Sequence, residues 1–135
     1  MLEADYPYTA KDGVCQYVES KGVVRGHGYK AAKSESVSSL LATIAEQVTS
    51  VRLHVSDSFR AYSSGIYDDK ECGDQINHAI NAVGYGKENG VQYVIIRNSW
   101  GTSWGEDGYM KIAATEDGPG ICAVQMGPSA IPQTN

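Results

Sequence analysis

The stretch from residue 77 to residue 109 constrains the fold most strongly, because it holds two apolar runs on either side of a turn signal. The first run follows His78 and the second ends at Asn98, with Lys87-Glu-Asn-Gly90 between them. Asn-Gly supplies the positive φ angles that a tight hairpin turn requires, so we predict that the two runs pair as antiparallel strands. This pairing would bring His78 close to Asn98 even though the two are distant in sequence.

A histidine held by an asparagine side chain is a recognised catalytic unit. We expect the amide oxygen of Asn98 to accept the proton of His78 Nδ1, which would fix the ring and leave Nε2 facing a nucleophile. For a lone histidine or asparagine, a strand cap or a turn residue is the more common interpretation. The long motif that begins at Asn98 favours the catalytic one.

That motif reads Asn98-Ser-Trp-Gly-Thr-Ser-Trp-Gly-Glu-Asp-Gly-Tyr109, and it strongly resembles a segment of the papain family of cysteine peptidases. The stretch Asn77-His78-Ala79 resembles the segment that carries the catalytic histidine of this family. The resemblance covers nearly the whole chain. It implies that His78 is the general acid and base and that Asn98 orients it. It also implies that Trp100 covers the His–Asn bond and that Trp104 contacts substrate on the leaving-group side.

The cysteines do not supply the expected nucleophile. The family carries it in a Gly-Ser-Cys-Trp type of segment that opens a helix, and this sequence has no such segment. The resemblance instead matches Cys72 and Cys122 to a disulfide, which suits an oxidising compartment. It matches Cys15 to a cysteine whose partner lies in the preceding half of the enzyme.

We therefore expect residues 1–135 to form the C-terminal half of a papain-like peptidase domain, with residues 1–20 as a connector from a first domain. In one interpretation the chain is the His/Asn half of a cysteine endopeptidase, active on peptides or proteins when joined to, or assembled with, the domain that carries the thiol. The alternative is a stand-alone, non-catalytic module that binds a peptide or a partner protein. A third possibility is that the reading frame continues upstream of Met1.

Substrate preference is expected to depend on Arg52, which stands where the family usually has a small or aliphatic residue. The resemblance implies that Arg52 faces the pocket for the second substrate residue before the cut. Ile76 and Asn77 would form another wall, and Gly127 would leave the far end open. Arg52 would then favour an acidic or hydrogen-bonding substrate side chain. The alternative is an arginine that points to solvent.

Composition excludes several other classes of function. The formal charge of −5 gives no basic surface for nucleic acid and no polybasic membrane patch. No apolar run approaches the roughly 20 residues of a membrane span. The three histidines are scattered without ligand-like spacing, so we expect neither a metal nor another cofactor. Because the N-terminus lacks the pattern of a signal peptide, a lysosomal, vacuolar or secreted location is inferred from the family and the disulfide alone.

The predicted fold class is α+β, with an antiparallel, β-barrel-like sheet and one packed helix, as in the second domain of the papain-like fold. Residues 34–48 form the helix, with Ser34 as its N-cap and an apolar stripe along one face. The stripe consists of Val37, Leu40, Leu41, Ile44, Ala45 and Val48. Strands are predicted at roughly 23–29, 51–55, 79–85, 92–98, 108–113 and 121–124. A loop or short helix starts at Asp57, and the tail from residue 128 lacks periodicity.

Overall fold

The computed structural model describes residues 1–134, which separate into a smaller unit (Met1–Tyr29 with the residues from Pro132 onward) and a larger unit (Lys30–Ile131). The larger unit holds every residue that the sequence assigns to catalysis or substrate binding. The helices and strands in chain order are β1 (Gly26–Ala31), α1 (Val37–Glu46), β2 (Thr49–Leu53), α2 (Asp57–Arg60), β3 (Ile66–Tyr67), β4 (His78–Glu88), β5 (Val91–Arg97), β6 (Tyr109–Ala113) and β7 (Ala130–Thr134).

The sheet of the larger unit has the order β7-β2-β4-β5-β6-β3. Its neighbouring strands are antiparallel, except that β3 runs parallel to β6. Residues 132–134 of β7 belong to the smaller unit, where β1 lies beside them. The predicted α+β class is therefore confirmed, and β3 makes the sheet mixed. With only two residues, β3 carries no alternating pattern by which the sequence could reveal it.

The hairpin of β4 and β5 forms as predicted, and its turn is tighter than the four polar residues suggest. Asn89 and Gly90 alone make the turn, with φ angles of 51° and 84°, as a two-residue connection between strands requires. The register pairs Asn81 with Arg97, so the next residue along the chain, Asn98, lies just past the end of β5. His78 is the first residue of β4. The two strand ends therefore lie side by side.

Helix α1 is shorter than predicted and begins later. Its N-cap is Ser36, whose Oγ accepts the backbone N–H of Ser39 at 3.5 Å, and not Ser34. Ser34 Oγ donates instead to the carbonyl of Met126. Glu35 has a φ of +58°, which prevents a helical start at this point.

The buried face of α1 consists of Val37, Leu40, Thr43 and Ile44. The predicted stripe was wrong at its C-terminal end, because Ala45 is exposed and Val48 is 51% exposed beyond the last helical residue. The helix ends there because the chain enters β2 at Thr49, whose side chain is fully buried.

Two of the predicted strands are displaced along the chain. The first spans 26–31 and not 23–29, and β2 spans 49–53 and not 51–55. Within β2 the burial alternates strictly, with Val51 and Leu53 inward and Arg52 outward. His54 lies past the strand end, where its Nδ1 is 2.6 Å from the carbonyl oxygen of Gln75.

The C-terminal region differs most from the prediction. Residues 121–124 do not form a strand, because Cys122 and Ala123 have φ angles of 53° and 60°, and Ile121–Ala123 is a short 3-10 helix. The tail does contain a strand, β7, which joins β2 by pairing Ala130 with Ser50. Its sequence, Ala-Ile-Pro-Gln-Thr, lacks the alternation by which a strand could be predicted.

The disulfide between Cys72 and Cys122 is present, as expected from the resemblance. It joins the loop that precedes β4 to the 3-10 helix. Cys15 is exposed and has no partner within residues 1–134. Beside the disulfide, Ser58 Oγ donates to Asp69 Oδ2 at 2.5 Å, and the Tyr67 hydroxyl lies 2.8 Å from Ser58 Oγ. This network ties helix α2 to the loop that carries Cys72.

The hydrogen bond from Ser58, followed by the backbone N–H of Glu71, lowers the pKa of Asp69. A lowered pKa in the folded state stabilises the fold above the unfolded-state pKa of roughly 4, and this stabilisation is lost as the pH falls through the folded-state pKa. We therefore expect Asp69→Asn to reduce the urea midpoint at pH 7, and the difference from wild type to shrink towards pH 3. Asp68→Asn, which removes the same charge from an exposed neighbour, is the control. A difference that does not depend on pH would contradict this assignment.

Candidate active site

His78 and Asn98 are in contact, at a hydrogen-bond distance of 3.0 Å between His78 Nε2 and Asn98 Oδ1. The prediction named the wrong ring nitrogen. Nε2 is the nitrogen farther from the histidine backbone, and it reaches across to the end of the neighbouring strand, where Asn98 follows β5. Nδ1, close to the backbone of β4, is therefore the nitrogen left free.

The Asn98 side chain can be oriented from its contacts. Its Oδ1 accepts the backbone N–H of Ser99 at 2.8 Å, and only an oxygen can do so. The same oxygen faces His78 Nε2, so the neutral imidazole must carry its proton on Nε2. Nδ1 then presents a lone pair, and it has no hydrogen-bond partner within residues 1–134. The pair is held in low-dielectric surroundings, since Asn98 is only 8% exposed.

The two tryptophans of the motif form one aromatic cluster with Phe59. The Trp100 ring stacks on His78, with centroids 5.3 Å apart and planes at 26°. Trp104 meets Trp100 edge-on at 5.2 Å, and the fully buried Phe59 packs against both. Trp100 thus occupies one face of the imidazole, and Phe59 supports Trp100 from the core.

The loop between Asn98 and Tyr109 is clamped at both ends. Asn98 N–H donates to Gly108 O at 3.0 Å, and Gly108 N–H donates to Trp104 O at 2.8 Å. Gly105 has a φ of 57°, and a Cβ there would lie 2.5 Å from the carbonyl oxygen of Tyr109, so only glycine fits. This tight loop fixes where Asn98 stands relative to β4.

Asn77 anchors the chain immediately before His78. Its Oδ1 accepts Val55 N–H at 2.8 Å, its Nδ2 donates to Val55 O at 3.3 Å, and its backbone N–H donates to Leu53 O at 3.1 Å. The side-chain amide thereby continues the β2–β4 ladder by one step. Ile76, the other residue predicted for this wall, is half-buried.

Arg52 is exposed, and its Nη2 donates to the carbonyl oxygen of Gly127 at 2.6 Å. The two residues that the sequence assigned to one substrate pocket are thus in direct contact. Arg52 also pairs with Ala79 in the β2–β4 register, one residue from His78. The hydrogen bond to Gly127 therefore holds the guanidinium group on the outward face of β2.

The sequence pattern does not single out Arg60, which the structure places beside the motif. Its guanidinium carbon lies 5.5 Å from the centroid of the Trp100 ring, and its backbone oxygen accepts Trp104 Nε1–H at 3.0 Å. The only available signal is its position directly after Phe59, in a stretch that resembles the family. A cation–π contact between distant residues cannot be derived from that signal.

The larger unit carries no free thiol, because Cys72 and Cys122 are its only cysteines and they are bonded to each other. Within residues 1–134, no three His, Cys, Asp or Glu side chains lie close enough together to hold a metal ion. Over the same residues, every helix is too short or too polar to cross a lipid bilayer.

A mixed sheet with a His–Asn pair at adjacent strand ends, covered by a tryptophan, defines a papain-like peptidase fold. The model of the papain family of cysteine proteases matches residues 1–131. The chain belongs to this family.

Individual relatives agree with this assignment. The chain is 44% identical over 127 residues to probable cysteine protease RD21B of Arabidopsis thaliana, and 41% identical over 126 residues to papaya proteinase 4 of Carica papaya. These alignments cover 92% and 91% of the chain, but only 27% and 36% of the two relatives. The chain thus spans about a third or less of the length of these curated relatives.

Solved structures share the fold. The bromelain protease of Ananas comosus, in complex with the E64 inhibitor, has a TM-score of 0.84 at 34% identity, and the match covers 96% of this chain and 60% of that one. The ragweed pollen allergen Amb a 11 in its proform has a TM-score of 0.89 at 32% identity, with 98% and 40% covered.

Proposed function

We propose that this chain supplies the acid–base half of the active site of a papain-like cysteine endopeptidase. His78 acts as general base and acid, and Asn98 orients it. The thiol comes from a segment outside these residues, on the same polypeptide or on a partner. The observation that carries the proposal is the hydrogen bond between His78 Nε2 and Asn98 Oδ1, which leaves Nδ1 free to exchange a proton. Family membership is consistent with this chemistry.

The proposed reaction uses Nδ1 twice. Nδ1 accepts the proton of the thiol, and the resulting thiolate attacks the carbonyl carbon of the substrate peptide bond. The imidazolium then donates that proton to the leaving amine as the C–N bond breaks, which leaves a thioester. In the second half, Nδ1 accepts a proton from water while the hydroxide oxygen attacks the thioester, and it returns the proton to the departing thiolate.

Asn98 and Trp100 have supporting roles in this reaction. The Asn98 oxygen holds Nε2–H in both protonation states, so the ring keeps its orientation while Nδ1 gains and loses a proton. It also stabilises the imidazolium. Trp100 lies against the ring face and excludes water, which strengthens the hydrogen bond. On the leaving-group side, Trp104 contacts the substrate.

The proposed setting is an oxidising compartment, either lysosomal or vacuolar or outside the cell. The disulfide between Cys72 and Cys122 supports this setting, because structural disulfides persist where thiols are not kept reduced.

The test is to join the chain to a papain-like domain that carries the thiol, and to follow cleavage of a fluorogenic dipeptide substrate. We expect cleavage that a thiol-directed epoxide abolishes, with one epoxide bound per molecule on the added domain. A joined protein that folds but does not cleave would overturn the proposal.

A non-catalytic module that binds a peptide or a partner protein is the second candidate. It is supported by the absence of a free thiol from residues 30–131, where both cysteines form the disulfide. Under this alternative the joined protein would bind peptides without cleaving them, so the same experiment separates the two functions.

Arg52 is proposed to select the second substrate residue before the cut. One N–H of its guanidinium donates to the carbonyl oxygen of Gly127, and the remaining N–H groups are available to a carboxylate. We expect the joined protein to prefer glutamate over glutamine at this position by about fivefold. This ratio corresponds to roughly 1 kcal/mol, the upper end of what an exposed charge pair contributes. A peptide library measures the preference, and Arg52→Gln should remove it. Equal cleavage of both peptides by the wild type would contradict the role of Arg52.

A further inference from the structure

Arg60 stands at the C-terminal end of helix α2, next to the two tryptophans of the site. Its guanidinium carbon lies 5.5 Å from the centre of the Trp100 ring, which in turn stacks on His78 at 5.3 Å. Its carbonyl oxygen accepts Trp104 Nε1–H at 3.0 Å. Arg60 therefore contacts both tryptophans. Its side chain contacts Trp100, and its backbone accepts a hydrogen bond from Trp104.

Helix α2 fixes Arg60 in this place. Ser56 caps the helix by accepting the N–H of Phe59 at 3.2 Å. Phe59 is fully buried, stacked on Trp104 with centroids 5.5 Å apart and edge-on to Trp100 at 5.9 Å. Because Phe59 is anchored inward, the next residue, Arg60, is directed to the exposed side of the same aromatic cluster.

The charge of Arg60 is not neutralised by the chain. Within residues 1–134 the ion pairs involve Arg25, Lys30 and Lys111, and none involves Arg60. Over the same residues the guanidinium group of Arg60 makes no hydrogen bond. A cation without an ionic partner in the described residues thus lies against the tryptophan that stacks on the proposed catalytic histidine, in a chain whose formal charge is −5.

The N–H donors of the Arg60 guanidinium are available to a ligand, because they make no hydrogen bond within residues 1–134. These donors lie in one plane as a rigid fork. Two parallel N–H groups match the two oxygens of a carboxylate. The free edges are therefore suited to a carboxylate that approaches along the surface of Trp104.

We propose that Arg60 binds a carboxylate on the leaving-group side of the scissile bond. This inference rests on the proposed function, in which Trp104 contacts the substrate on that side and His78 protonates the leaving amine. The carboxylate is either an acidic side chain of the leaving peptide or the C-terminal carboxylate of a short one. Both sources present the same planar anion. The enzyme then prefers bonds that are followed by an acidic residue or by a nearby chain end.

The expected preference is modest, because Arg60 is exposed to solvent. We expect about a threefold preference at low ionic strength, which lies within the range measured for exposed ion pairs. It should decrease in high salt, where the Debye length falls to about 3 Å at 1 M.

Transfer of the acyl group from the thioester to an added amine tests binding on the leaving-group side alone, because the amine occupies the place of the leaving group. The thioester formed from one ester substrate is offered three dipeptide amines, Gly-Gln-amide, Gly-Glu-amide and Gly-Gln with a free C-terminal carboxylate. They share the same N-terminal glycine and hence nearly the same amine, and the partition between aminolysis and hydrolysis reports their binding. In the joined protein we expect the two anionic amines to capture the thioester about threefold better than Gly-Gln-amide. Comparing these two amines distinguishes a side-chain from a terminal carboxylate.

Variants separate binding by Arg60 from an effect of overall charge. Arg60→Gln should make the three partition ratios equal, and Arg60→Lys should retain part of the preference, because charge remains but the planar fork is lost. Arg25→Gln removes the same charge from the smaller unit and should leave the preference intact.

The outcomes are distinguishable from failure of the proposed function. A thioester that forms and partitions equally among the three amines in the wild type overturns the role of Arg60 alone, as does a preference that Arg60→Gln leaves unchanged. If no thioester forms, the proposed function itself fails, and the role of Arg60 fails with it.

Discussion

Replacing His78 with glutamine is expected to lower kcat/KM for peptide cleavage by the joined protein by about 10³-fold or more. Glutamine retains a side-chain N–H that can reach Asn98 Oδ1, the group that accepts Nε2–H at 3.0 Å in the wild type. The variant should therefore fold. It cannot accept or donate a proton at the position of Nδ1, so both halves of the reaction lose their acid–base catalyst. Initial rates with the fluorogenic dipeptide measure the loss.

The matched control for this substitution is His27→Gln. His27 is exposed on β1, in the smaller unit, and has no place in the proposed reaction. Its replacement should leave kcat/KM within about twofold of wild type, consistent with surface substitutions of about 0.5 kcal/mol or less. If His78→Gln kept a tenth or more of the wild-type activity with an unchanged fold, His78 would not be the catalytic acid and base.

Removing the disulfide by Cys72→Ser with Cys122→Ser is expected to lower the free energy of unfolding by about 4 kcal/mol. The sequence separation is 50 residues, so the bond excludes many conformations of the unfolded chain. In the folded protein, the 3-10 helix that carries Cys122 is also bonded to the end of β2, with His54 N–H donating to Cys122 O at 2.8 Å. Urea unfolding of the variant and of wild type measures the difference.

Cys15→Ser controls for the loss of a thiol, because Cys15 is exposed and unpaired within residues 1–134. It should change the free energy of unfolding by no more than about 0.5 kcal/mol. If the double variant does not fold, reduction of the Cys15→Ser protein gives the same comparison, with unfolding followed before and after the bond is broken. A loss below about 1 kcal/mol would show that the disulfide contributes little to the stability of this fold.

The features predicted correctly are those that local sequence determines. The turn at Asn89-Gly90 needs two positive φ angles, and the residues that supply them are adjacent. The apolar spacing of Val37, Leu40 and Ile44 places them on one face of α1, and that face is buried. In both cases the physical cause lies within a few residues of its effect.

The features missed depend on distant partners. Strand β7 has no alternating pattern of its own and is extended because Ala130 pairs with Ser50. In the 3-10 helix, Cys122 and Ala123 have positive φ angles, and neither residue type predicts them. The free ring nitrogen of His78 depends on Ser99 N–H, which fixes the amide of Asn98. The sequence predicted that His78 and Asn98 meet, but it could not predict which ring nitrogen faces the amide.

The protonation state of the His78 ring tests the central claim most directly. Nitrogen-15 NMR of the neutral ring distinguishes a proton on Nε2 from one on Nδ1. We predict that the neutral ring carries its proton on Nε2, where it is hydrogen-bonded to Asn98 Oδ1. In Asn98→Ala, which lacks this acceptor, we expect the proton to be no longer confined to Nε2. A proton on Nδ1 in the wild-type protein would contradict the account, because the nitrogen that must receive the thiol proton would already be occupied.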